Sequence, residues 1–179
     1  MSYTTVFLIL LLLLAPSVTF SQESIREFRR TNEHQLLVEY FQLLSIPNIA
    51  SDTTRIRRNA DFLVERMRKA GLNPRLLEAA DRKVPPVVYG EYNTPGATRT
   101  VIFYAHYDGQ PTDPADWRGS RPWEPVLRTA SLEKGGKNIP FPKPTEKIDA
   151  EWRIYARSAS DDKAGVFAIL TAFDALKAK

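Results

Sequence analysis

The sequence contains no cysteine, which excludes disulfide bonds, thiolate nucleophiles and cysteine-based zinc sites together. Histidine is scarce as well, because His34 and His106 are the only two in 179 residues. Any metal site must therefore be rich in carboxylates or borrow ligands from elsewhere. No serine lies in a Gly-x-Ser-x-Gly nucleophile elbow, so a metal-free serine hydrolase of that type has no support.

A concentrated basic stripe is also lacking. The net charge of +4 is scattered along the chain, and the densest basic run is Arg55-Ile56-Arg57-Arg58. A nucleic-acid footprint needs a basic stripe with aromatic side chains beside it. A solvated helix face explains these arginines better, so we expect no nucleic-acid partner.

One long apolar run is present, from Val6 to Leu14, and Ala15-Pro16 ends it. It is too short to span a bilayer, which needs about 20 apolar residues, but it suits the core of a secretory signal peptide. We therefore predict a signal peptide at residues 1–21, a secreted or periplasmic protein and no stable membrane anchor. No Lys or Arg precedes the run, which departs from the pattern; a buried N-terminal strand or an uncleaved anchor is the alternative.

Residues 22–179 read as part of one layered α/β domain. Apolar spacing predicts three helices, over Ser24–Leu44 with Ser24 as its cap, Thr53–Ala70 with Asp52 as its cap, and Lys163–Lys177. Four strands are predicted, over Arg75–Glu78, Val87–Tyr92, Thr100–Ala105 and Trp152–Ala156. The run Thr100–Ala105 is the strongest strand candidate, and its continuous apolar character predicts cover on both faces. The stretch from Gly109 to Ala150 holds seven of the 13 prolines and is predicted to be mostly irregular.

Two polar clusters follow predicted strands. His106-Tyr107-Asp108 comes directly after the strongest strand, and residues i and i+2 of an extended chain point to the same side. Ser160-Asp161-Asp162-Lys163 lies between the last strand and the last helix. Open α/β sheets place their ligands at this edge, although Asp161 or Asp162 could equally be a plain helix cap.

Taken together, the clusters resemble a known family. The segments Val101–Pro111, Trp123–Val126 and Tyr155–Gly165 occur in the order found in the co-catalytic zinc exopeptidases, the metallopeptidase family of aminoacylases, carnosine dipeptidases and glutamate carboxypeptidases. The resemblance covers most of residues 24–179. It implies the N-terminal part of a three-layer α/β/α zinc-peptidase catalytic domain, without the family's lid or dimerisation domain.

The resemblance also implies a role for each residue of the site. His106 would ligate one Zn²⁺, Asp161 would bridge two, and Asp108 would orient the His106 imidazole as a catalytic support. Asp162 would not ligate, and the Asp161–Asp162 peptide bond would be cis. Cobalt or manganese are alternatives to zinc. The family's Gly-Arg-Gly is replaced here by Ala156-Arg157-Ser158, and residues 130–151 form a longer surface excursion than usual.

The implied reaction is hydrolysis of a small peptide or an N-acyl amino acid by a dinuclear zinc site. In the family, the general-base glutamate and the remaining ligands lie further along the chain. Here no Glu follows Glu151 and no His follows His106, so we expect a truncated chain that is inactive alone. A homodimer would need the missing lid. The alternative is a non-catalytic binding domain of the same fold.

Overall fold

The computed structural model describes residues 16–178. Its helices are α1 (Pro16–Leu44), α2 (Thr53–Lys69) and α3 (Lys163–Lys177). Its strands are β1 (Asn73–Leu77), β2 (Val87–Glu91), β3 (Val126–Arg128), β4 (Asn138–Ile139) and β5 (Arg153–Tyr155). This mixture of helices and sheets confirms the predicted α/β class. The apolar run on which the signal-peptide prediction rests lies outside the described residues.

Within residues 16–178, no helix has the length and apolar character that crossing a membrane requires.

The helix ends mostly follow local sequence rules. Asp52 caps α2 by accepting the backbone N–H of Arg55 at 3.0 Å, and Gly71 takes a left-handed φ of 81° after its last turn. The predicted cap at Ser24 is wrong, because α1 begins at Pro16 and runs through Ser24. Proline suits the first turn of a helix, and no glycine or further proline interrupts α1 before it ends.

The strands form two small antiparallel sheets. β1 pairs with β2, with Asn73 opposite Glu91 and Leu77 opposite Val87. The second sheet has the order β4-β3-β5. β5 confirms the strand predicted at Trp152–Ala156, whereas β3 and β4 lie in the stretch predicted as irregular. Strands of three and two residues are too short to produce a readable apolar alternation.

The prediction of a buried strand at Thr100–Ala105 is wrong for this chain. The segment forms no strand, and Val101, Ile102, Phe103 and Tyr104 are 71%, 86%, 71% and 85% exposed. No strand among residues 16–178 pairs with it. It therefore lacks both the ladder hydrogen bonds and the two covering layers that its apolar sequence suits.

The core lies where the three helices meet. Its buried centre consists of Leu43, Leu63, Val166 and Leu170. Ala105 and Tyr107 pack against this cluster, one on each side of His106 in the sequence. The core therefore fixes the backbone that carries the first polar cluster.

A fully buried lysine joins two of the helices. The Lys163 ammonium donates to the carbonyl oxygens of Leu43 and Ile46, both at 2.7 Å. These bonds satisfy carbonyl groups at the end of α1, and they hold that end against the first residue of α3. Burial lowers the pKa of Lys163 to about 7.

Replacing this lysine should destabilise the fold. Lys163→Met keeps the apolar stem but removes the ammonium donor from both carbonyl groups, and the Leu43 carbonyl keeps only the backbone N–H of Ile46 at 3.3 Å. We therefore expect a loss of about 1–3 kcal/mol in the free energy of unfolding. Urea denaturation followed by circular dichroism measures it. Lys177→Met is the matched control, because Lys177 also donates to a helix-end carbonyl, that of Ala70 at 2.7 Å, but is exposed. Equal losses in the two variants would contradict the importance of burial.

The exposed apolar segment should make copies of the chain associate. Four consecutive large apolar residues without a charge or a proline favour pairing between copies. We expect Ile102→Lys to raise the monomer fraction in size-exclusion chromatography with light scattering. Leu176→Lys, at an isolated exposed position, should leave that fraction unchanged. An unchanged profile for Ile102→Lys would show that this segment does not drive association.

Candidate metal centre

The fold brings the two polar clusters into contact. His106 Nε2 lies 2.9 Å from Asp161 Oδ1, although 55 residues separate the two in the sequence. The His106 side chain is 40% exposed and that of Asp161 is 87% exposed. The pair is therefore open to solvent and to a ligand.

Asp108 occupies the other nitrogen of the same imidazole. His106 Nδ1 lies 3.1 Å from the backbone oxygen of Asp108 and 3.2 Å from its Oδ1. The two-residue spacing that suggested this contact does place both side chains on one side of the backbone. A carboxylate in this position fixes the orientation of an imidazole that binds a metal.

Both ring nitrogens of His106 therefore face oxygen atoms. A neutral imidazole carries one N–H, so one nitrogen would present a lone pair to an oxygen lone pair. Both contacts are satisfied when a cation, either a second proton or a metal ion, occupies the nitrogen that carries no N–H. Burial lowers the pKa of His106, but its hydrogen bonds with Asp161 and Asp108 outweigh burial and raise that pKa above the ordinary value.

Asp162 of the second cluster also contacts the first cluster, through the backbone of His106. It precedes α3 but makes no side-chain capping bond, and its Oδ2 instead accepts the backbone N–H of His106 at 3.3 Å. A side-chain Cβ at Gly165 would overlap the Asp162 carboxylate, so the glycine makes room for it. The peptide bond between Asp161 and Asp162 is cis, as the family resemblance implied.

A cavity of about 230 Å³ opens over this pair. Its lining consists of His106, Asp108, Gly109, Gln110, Trp117 and residues 156–161. A larger groove of about 510 Å³ lies between α1 and Phe141, but its lining contains neither a histidine nor a carboxylate. The chemistry of metal binding is therefore found at the smaller cavity.

Two supporting residues were not predicted from the sequence. Ser158 has a φ of 64°, a left-handed conformation that costs a non-glycine residue on the order of 1–3 kcal/mol. Its hydroxyl accepts a hydrogen bond from the buried Asn48 side chain at 2.9 Å. In the sequence, Asn48 looks like an ordinary turn residue after Pro47, and only the loss of glycine at Ser158 was a visible signal.

The residues present fit part of a metal shell. His106 Nε2 and Asp161 Oδ1 are suitable zinc donors and lie close enough for one ion to touch both, but structural and catalytic zinc sites use three or four protein ligands. Across residues 16–178, no group of three His, Cys, Asp or Glu side chains is arranged to hold a metal ion. His34 lies apart, with its Nε2 2.9 Å from the Pro142 carbonyl oxygen.

Comparison with known proteins agrees with this chemistry. No model of a known protein family matches the chain. The Cys-Gly metallodipeptidase dug1 of Schizosaccharomyces pombe is 26% identical over 167 residues, which cover 88% of this chain and 31% of that protein. The M20 family metallo-carboxypeptidase Sso-CP2 from Sulfolobus solfataricus is 30% identical with a TM-score of 0.59, over 80% of this chain and 27% of that one.

The chain is therefore similar in sequence and fold to M20 metallopeptidases. It corresponds to their N-terminal part, and it spans between 23% and 31% of the length of the curated relatives it matches. Human carnosine dipeptidase 1 shares the fold, with a TM-score of 0.65 at 17% identity over 88% of this chain and 31% of that one. The family resemblance that rested on His106-Tyr107-Asp108 and Ser160–Lys163 is thereby confirmed.

Removing the Asp108 carboxylate should lower the pKa of His106. Asp108 contributes hydrogen bonds and a negative charge that favour the imidazolium, so Asp108→Ala removes part of what raises this pKa. An NMR titration of the two histidine rings measures the shift, with His34→Gln assigning the signals. Asp116→Ala removes a carboxylate outside the cavity lining and should leave the His106 titration unchanged. An unaltered His106 pKa in Asp108→Ala would exclude Asp108 as a partner of the ring.

Proposed function

We propose that this chain carries the first part of the site of a metal-dependent peptidase, which hydrolyses peptide or amide bonds through a dinuclear zinc centre. The observation that carries the proposal is the single imidazole with both nitrogens facing oxygen atoms, Asp161 on one side and Asp108 on the other. A neutral imidazole has one N–H, so a proton or a metal ion at the other nitrogen would satisfy both contacts. Kinship with named metallodipeptidases supports a metal ion over a proton in that place.

The residues divide the work of the site between them. His106 would hold one metal ion through Nε2, and Asp161 would hold the same ion and a second one. Asp108 fixes the imidazole through Nδ1, which keeps the lone pair of Nε2 available. The zinc ions, when bound, would polarise the scissile carbonyl group and lower the pKa of a water molecule.

The substrate class follows from the relatives and the cavity. Two relatives are named dipeptidases and one is named a carboxypeptidase. A cavity of about 230 Å³ has room for a small group rather than a folded chain. We therefore propose a small peptide or an N-acyl amino acid as the substrate. We also propose that the signal peptide at residues 1–21 exports the protein, so that it meets this substrate outside the cell or in the periplasm.

The described residues supply only part of the reaction. Hydrolysis needs a general base that takes a proton from water and passes it to the leaving amine. No glutamate lines the cavity in the described part of the chain, and Asp108 is already bonded to His106. We propose that this polypeptide alone binds metal but does not cleave peptides, which leaves a non-catalytic binding domain as the second candidate function.

Metal titration tests the proposal directly. Isothermal titration with Zn²⁺ should show one weakly bound ion, because two donors are present instead of three or four. His106→Ala and Asp161→Ala should both abolish the binding, while His34→Ala should leave it intact. Identical binding in the wild type and His106→Ala would contradict the site. Zinc-dependent cleavage of a Cys-Gly dipeptide by the chain alone would show that the active site is complete.

A further inference from the structure

A single buried amide links the two segments that carry the metal donors. Asn48 is fully buried, and its Nδ2 donates to the Tyr107 carbonyl oxygen at 2.8 Å and to Ser158 Oγ at 2.9 Å. Tyr107 lies between His106 and Asp108, and Ser158 lies three residues before Asp161. One side chain therefore bonds to both halves of the candidate site.

The backbone carbonyl and the side-chain Oδ1 of Asn48 also accept hydrogen bonds. Its carbonyl oxygen accepts the N–H of Gly109 at 2.8 Å, and Ile49 forms an isolated parallel bridge with Gly109. The Oδ1 of Asn48 accepts a hydrogen bond from Trp123 Nε1 at 3.3 Å. The bond to Ser158 is buried and the bonds to Tyr107 and Trp123 are partly buried, so competing water reaches the Asn48 amide poorly.

Gly109 and Ser158 pack closely against the Asn48 amide. A Cβ at Gly109 would lie 2.7 Å from Ser158 Oγ and 3.0 Å from Asn48 Nδ2, so only glycine fits between the two segments. Ser158 adopts its left-handed φ of 64° without the freedom of glycine, and its hydroxyl meets the Asn48 amide. The hydrogen bond to Asn48 thus offsets the unfavourable backbone at the start of the loop that leads to Asp161.

We infer that Asn48 is a positioning residue, which sets the separation of His106 and Asp161 by clamping Tyr107 and Ser158. It does not touch the metal or the substrate, and it acts through the backbone of the two segments. This inference rests on the proposed metal site for its functional meaning. The contact it controls, between His106 Nε2 and Asp161 Oδ1, exists in the metal-free chain and can be measured there.

The first experiment measures that contact without metal. The ring ¹⁵N shifts of His106 report its bonds to Asp161 and Asp108. Asn48→Ala should move these shifts toward those of a free imidazole at the same pH, and Asn48→Asp should do the same, because it keeps the shape but has no amide N–H. Ser158→Gly should move them less, since the bond from Asn48 to Tyr107 remains.

Asn59→Ala is the matched control for folding. Asn59 is also fully buried and donates to two backbone carbonyl oxygens, those of Pro47 at 2.8 Å and Arg55 at 3.0 Å, but it bonds neither donor-bearing segment. Asn59→Ala should lower the free energy of unfolding in urea by a similar amount, and it should leave the ring ¹⁵N shifts of His106 unchanged. Equal shifts in Asn48→Ala and Asn59→Ala, or unmoved shifts in a folded Asn48→Ala, would overturn the inference.

The second experiment separates the inference from the proposed function. Co²⁺ titration of the full chain, followed by the visible absorption of the bound ion, should give a dissociation constant raised about tenfold in Asn48→Ala, as for other residues that support metal ligands. Asn59→Ala should bind as the wild type does. No cobalt binding by the wild type would refute the metal site, while the ring shifts would still decide the role of Asn48. Wild-type affinity in Asn48→Ala would refute the positioning role alone.

Discussion

The structure depends on how the chain satisfies the polar groups at the end of α1. A helix ends with carbonyl groups that have no partner inside the helix, and here that end is buried under the third helix. Lys163 supplies a donor to Leu43 and Ile46, and the next turn places Asn48 in the interior. Because Lys163 is adjacent to Asp162, the hydrogen bonds of Lys163 to the end of α1 also fix the position of Asp161 and Asp162.

Much of this arrangement is visible in the sequence because it is local. The cap of α2 at Asp52, the reversal at Gly71 and the termination of α1 before Pro47 follow from side chains within a few residues of each helix end. The contact of His106 with Asp108 likewise follows from a two-residue spacing. Such features need no knowledge of the tertiary fold.

The features that could not be predicted are those that depend on distant partners. The run Val101–Tyr104 has the composition of a buried strand, but a strand requires neighbours, and none pairs with it among residues 16–178. Asn48 reads as a turn residue, and its partners lie 59 to 110 residues away. The sequence placed His106 and Asp161 after predicted strands, at the edge where open sheets bind ligands, but only the resemblance to a family implied that the two share a metal ion.

The serine at position 158 also changes how the motif around it should be understood. A left-handed backbone is usually secured by glycine, yet here a hydroxyl bonded to a buried amide holds the same geometry. What the loop requires is a conformation, and two different chemical solutions can supply it. A hydrogen bond from a buried amide can therefore take the place of the steric freedom of glycine at this position, and the loop then depends on a residue 110 positions away in the sequence.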